Sequence, residues 1–194
     1  MKKEELSNKA WKTAGARFNA YRRLKAKNAA SIFFISMLSL VCIFINLFEV
    51  FPADHRESAS LIFSVLVIIV SLVESSKDYS LKADRLHANA LEINSFIDRL
   101  KFMQSVGKDE IEEYHGILRS CPENHEIDDL KVFMMQHRKE FFPEDSCFIW
   151  SIRFLSVWGT AKFKAYSLYI AICFIVTAVL SYSYMSGLIR DLAM

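Results

Sequence analysis

Three long apolar stretches constrain this chain more than anything else in it. Residues 31–51 (SIFFISMLSLVCIFINLFEVF) hold 21 positions with a single acid, Glu49, near the end. As a helix rising about 1.5 Å per residue they reach about 31 Å, close to the thickness of a bilayer's hydrocarbon core. Residues 165–186 carry no charge, with Tyr166 and Tyr169 near one end and Tyr182 and Tyr184 near the other, where an interfacial aromatic belt lies. Residues 59–73 would reach only about 22 Å by the same rise. Only residues 52–58 separate them from the first stretch, which suits a tight helical hairpin and makes them the second span.

Between the spans the apolar residues keep helical spacing. With 5 glycines and 3 prolines in 194 residues, the composition argues against a β-rich or disordered chain. The expected fold is an all-α membrane protein: an N-terminal transmembrane helical hairpin, a long cytoplasmic helix with a helical lobe, and a C-terminal third transmembrane helix. The expected segments are a basic amphipathic helix at 1–28, the hairpin at 29–73, a cytoplasmic region at 74–145, an interfacial helix at 146–164 and the third span at 165–186. The polar leader of nearly thirty residues, with no A-x-A site after the first apolar stretch, is not the pattern of a cleaved signal peptide.

Net charge is only +2, but it is unevenly placed. Residues 1–28 carry nine Lys or Arg against Glu4 and Glu5, whereas residues 109–129 carry eight acids against Arg119. Lys and Arg collect on the cytoplasmic side of spanning helices. The hairpin turn has Arg56 alone, Arg153, Lys162 and Lys164 precede the third span, and Arg190 alone follows it. The N-terminus and residues 74–164 are therefore expected in the cytoplasm.

After the second span, Tyr79, Ala83, Leu86, Ala90, Ile93, Ile97 and Leu100 recur at alternating steps of four and three. This is a heptad seam, with the second span expected to run directly into it. A seam predicts a partner helix but not whose: it suits self-association into a homo-oligomer or a pairing within the chain. The N-terminal arm shows a shorter stripe, Trp11, Ala14, Phe18 and Tyr21, surrounded by Arg17, Arg22, Arg23, Lys25 and Lys27. Such an arm can lie on anionic membrane lipid, dock on a neighbouring helix, or contact a nucleic acid backbone through Arg17, Arg22, Arg23 and Lys25. Further along, Gly107 is expected to end the long helix, residues 121–125 to make a turn, and residues 126–142 to form one amphipathic helix.

Ser36, Ser39, Cys42, Asn46 and Glu49 fall at steps of three, three, four and three, and so share one face of the first span. Polar groups in a bilayer usually face a bundle interior or a water-filled path, so copies of this stripe could line a pore. The plainer alternative is small-residue packing, with Asn46 as interhelical glue. Ser60, Ser64 and Ser71 mark a facing stripe on the second span.

Other chemistry is poorly supported. His115, Cys121, His125 and His137 match no recurrent zinc spacing, so no metal is expected, and no cofactor either. The four cysteines show no C-x-x-C pair and read as reduced thiols. There is no G-x-S-x-G, P-loop, G-x-G-x-x-G or H-E-x-x-H, so no catalytic residue is assigned and an enzyme is not expected.

Taken together, Trp11-Lys-Thr through Arg17, Arg22-Arg23-Leu24, the immediate hairpin, the helix over residues 79–100, and Tyr114-x-x-Ile117-Leu118 followed by Asn124-His125 and Asp128 resemble the SLATT proteins. These are the SMODS- and SLOG-associating two-transmembrane effectors of prokaryotic conflict systems. The resemblance is closest to the branch linked to reverse transcriptases and covers about residues 8–140, with the third span beyond it. It implies an antiphage effector of the bacterial inner membrane that acts in abortive infection. A partner, a reverse transcriptase or a nucleotide-signalling protein, would trigger it, with the acidic stretch as the receiving surface. The alternative role is a non-conducting anchor that recruits a cytosolic partner.

Overall fold

The computed structural model describes residues 2–47, 51 and 53–192, with helix placement alone at 53–55, 183–184 and 186–192. Among these residues there are helices and no strands. They are α1 (Lys3–Leu47), α2 (Ala53–Ser75), α3 (Tyr79–Phe102), α4 (Lys108–Arg119), α5 (Ile127–Gln136), α6 (Arg138–Phe141) and α7 (Cys147–Leu192). Three helical segments are long and apolar enough to cross a membrane.

Several boundaries differ from those read in the sequence. The basic arm and the first span form one helix, α1, of 45 residues. The second span begins at Ala53 and runs 23 residues, so most of the expected turn is helical. At about 1.5 Å per residue the whole helix is about 34 Å long, its first residues charged and its apolar part still 59–73. It does not continue directly into α3: Asp78 adopts the left-handed conformation (φ 49°), which short polar side chains tolerate and which stops the helix. The expected helix at 126–142 is two, because His137 leaves helical geometry while its Nδ1 lies 2.9 Å from the Phe133 carbonyl oxygen. Residues 147–164 do not stand apart as a helix of their own: they are the first turns of α7, 46 residues long.

The helices sort into two compact units. The first holds α1 as far as Ala26, then α3 to α6, and α7 as far as Phe163. Its core has two clusters. In one, Leu6, Ala10 and Ala14 of α1 meet Ile93, Phe96, Ile97 and Leu100 of α3 and Tyr114 of α4. In the other, Ala20 and Leu24 meet Tyr79, Ala83, Leu86 and Cys121. Ala10, Ala14 and Ala20 let the two backbones approach closely between Leu6 and Leu24, so the larger side chains of α3 fill the seam. Trp11 sits edge-on to Phe133 and His137 (centroids 4.8 and 4.9 Å) and stacks on Phe141 at 5.8 Å. Gly15, one turn on, faces Phe133 so closely that a Cβ there would overlap the ring.

The second unit holds α1 from Lys27, then α2, and α7 from Lys164. Phe34, Leu38 and Ile45 of α1, Phe63 and Val70 of α2, and Tyr169 and Val176 of α7 form its interior. Its outer surface is as greasy as its core: Phe33, Leu47, Ile62, Leu72 and Phe174 are between 66% and 78% exposed. A water-facing surface of that kind would be costly, whereas lipid chains meet it at no loss.

Candidate functional site

The basic arm of α1 meets the end of the acidic stretch, at the start of α5, inside the first unit. Glu126 starts α5, and its backbone N–H donates to Asp129 Oδ2 at 2.9 Å, a capping arrangement that orients the carboxylate. Arg23 grips the same group, Nε donating to Oδ1 at 2.9 Å and Nη2 to Oδ2 at 3.0 Å, while its Nη1 reaches Glu126 at 2.9 Å. Asp129 is buried, and Arg23 is mostly so. Burial works against the Arg23 charge, yet Asp129, Glu126 and Asp128 outweigh it and raise its pKa.

Arg17 lies wholly inside the fold, hydrogen-bonded to the Asn89 side-chain oxygen, and Asn89 donates onward to Ser120 Oγ at 3.0 Å and to the Ile117 carbonyl. Lys25 pairs with Asp84 at 2.9 Å and donates to Ser80 Oγ at 3.0 Å. Three of the four cations assigned to membrane or nucleic acid contact are thus turned into the chain. Arg22 alone is exposed, its guanidinium donating to Asn19 Oδ1 at 3.2 Å. The acids opposite are engaged as well: Glu123 with Arg85 at 2.9 Å, and Glu113 with Arg99.

The seam residues meet their partner within the chain. Tyr79, Ala83, Leu86, Ala90, Ile93, Ile97 and Leu100 are all at most 9% exposed, packed on α1 with Tyr114 and Cys121. In this structure the pairing is intramolecular, with α1 as the helix the seam packs on.

In the second unit, Ser36 and Asn46 of the α1 stripe are exposed, and Ser39 and Cys42 are half-buried. Ser36 and Ser39 donate to carbonyls of their own helix, Ile32 at 2.9 Å and Ile35 at 3.0 Å. Asn46 donates to the Cys42 carbonyl at 2.8 Å and to Ser60 Oγ of α2 at 3.0 Å, which brings the two stripes together at that point. Ser64 and Ser71 donate to their own helix. Glu49 lies outside the described residues.

One polar group escaped the sequence reading. Glu74, one residue beyond the second apolar stretch, is buried in the second unit. Its Oε2 accepts from the Tyr169 hydroxyl at 2.6 Å, and Lys77 meets Oε1 at 2.6 Å. Ser31, also buried, lies beside the same carboxylate. A charge three residues from a lysine of opposite sign at a helix end is the only local signal it leaves.

Of the residues weighed as metal ligands, His125 and Cys121 flank the turn before α5. Among the described residues no three His, Cys, Asp or Glu converge where a metal could be held. Burial, with the Arg17 charge adding to it, pushes His125 below its ordinary pKa against the opposing pull of Asp129. The four cysteines are free thiols.

The sequence model of the SMODS and SLOG-associating 2TM effector domain family 5 matches residues 1–182. The match runs beyond the stretch that carried the resemblance and takes in most of the third apolar helix. No curated protein and no solved structure matches the chain.

Proposed function

The chain belongs to the SMODS and SLOG-associating 2TM effector family, and from that premise we propose that it permeabilises the membrane that holds it when a defence-system partner signals infection. Membership makes it a membrane effector of such systems. The finer reading has the chain in the bacterial inner membrane with its N-terminus in the cytoplasm. It works as a homo-oligomer, and its trigger is a reverse transcriptase or a nucleotide-signalling protein.

The observation that carries the reading is the exposure of Ser36 and Asn46 beside the exposed apolar side chains of the same helix, such as Phe33 and Leu47. A polar stripe facing lipid is costly, and further copies or water would satisfy it. Copies meeting along this stripe would set Ser36, Ser39, Cys42 and Asn46 around a path, with Glu49 near its outer mouth as a carboxylate ring favouring cations. Partner binding at the Arg23–Asp129 joint would act on α1, the helix that also carries the stripe.

A second reading has its own observation. Asn46 already finds Ser60, and both serines already bond to their own helix, as in a hairpin that merely anchors a cytosolic partner. Membrane potential in cells producing the chain with its trigger separates the two. Permeabilisation predicts depolarisation by the natural chain and not by Asn46→Leu. A steady potential with a co-purifying cytosolic partner would overturn it in favour of the anchor.

A further inference from the structure

We propose that the Glu74 carboxylate is the clasp fastening the third long helix to the hairpin, and that its release is the opening step. The second half rests on the permeabilisation reading above. Lipid provides no hydrophobic force between helices, so packing and polar contacts fix how such helices associate. In this unit Glu74 is the only acid or base among the residues described as buried. Its carboxylate on α2 accepts from the Tyr169 hydroxyl of α7 at 2.6 Å, and the buried Ser31 of α1 lies beside it. Tyr169 also packs its ring on Phe34 of α1 with centroids 4.9 Å apart, so the phenol sits where all three helices meet.

The arrangement is built to release. Lys77, on the same short segment as Glu74, holds the other carboxylate oxygen at 2.6 Å. When α7 leaves, the charge on Glu74 keeps its lysine, and the phenol departs neutral. The step therefore breaks a hydrogen bond to a charged group without stranding a bare charge, a contact firm enough to hold and cheap enough to lose. Lys77 is the cation facing Glu74 from its own element, and Ser31 and Tyr169 face it from the other two.

The test uses the full-length chain in lipid vesicles loaded with a self-quenching dye. Tyr169→Phe removes the hydroxyl and keeps the ring on Phe34; Glu74→Gln removes the charge and keeps the shape. Both should speed amide exchange in residues 165–180 about tenfold, the loss of one charge-assisted hydrogen bond, and raise untriggered leakage. The double variant should go no further than either single one. Faster exchange without leakage supports the clasp and counts against permeabilisation. Exchange at the natural rate in both variants would overturn the clasp, whatever the dye does.

Discussion

Arg23 of α1 and Asp129 of α5 meet as a fork on a fork, through hydrogen bonds of 2.9 and 3.0 Å, across 106 residues of chain. The contact joins one arginine of the basic arm to the last acid of the acidic stretch. It places the aromatic ring of Phe133, one turn further along α5, over Gly15 and Trp11 of α1.

Breaking that fork should therefore loosen the whole first unit. Removing one partner of a buried pair leaves a charge without its counterpart and costs about 3–5 kcal/mol. Asp129→Ala should lower the thermal midpoint of the purified chain by about 6–20 °C. Arg23→Lys, which keeps the charge and loses the fork, should fall between it and the natural chain. A drop below about 2 °C for Asp129→Ala would mean that the pair contributes little.

Gly15 offers a sharper test of the packing. In an exposed helix, replacing glycine by alanine stabilises by about 1 kcal/mol. Here the added methyl would overlap the Phe133 ring, itself wedged against Trp11 and His137, so Gly15→Ala should destabilise by about 1–3 kcal/mol. Phe133→Leu should remove much of that penalty, and a double-mutant cycle reads the coupling. Independent, additive effects would place the ring elsewhere.

His125 should make stability depend on pH. Its folded pKa lies below the ordinary histidine value, for reasons of burial and the nearby Arg17 charge. The unfolded chain then takes up the proton first, so stability rises with pH. This contribution is complete above about pH 6.5 and is lost as pH falls from there through the folded value. The natural chain should melt lower at pH 5 than at pH 7.5, and His125→Gln should show a smaller difference. An equal difference in both would assign the effect to other groups.

Residues 31–51 and 165–186 announced themselves because hydropathy is a local property, and the seam from Tyr79 to Leu100 because heptad spacing is too. What the seam packs on was not legible. Ala10, Ala14 and Ala20 bury little area and make a weak periodic signal, although they decide that α3 pairs with α1. Gly15 reads in sequence as a helix weakness, and only the ring placed over it explains its size. Asp78 interrupts an amphipathic pattern that is otherwise unbroken, so the turn between α2 and α3 was hidden. Of the site, the stripe from Ser36 to Asn46 was readable from helical spacing, but its contact with Ser60 was not. Glu74 lies just past an apolar stretch and drew no reading, and Tyr169 read as part of an interfacial belt. Nothing local links two residues 95 positions apart.

Current across a planar lipid bilayer holding the full-length chain together with its trigger tests the central claim most directly. The account predicts discrete conductance steps, favouring cations over anions, that disappear when Ser36 and Asn46 are replaced by leucine in a chain that still inserts. Bilayers that stay silent at every ratio of protein to lipid despite insertion, or steps that persist unchanged in the leucine variant, would contradict it.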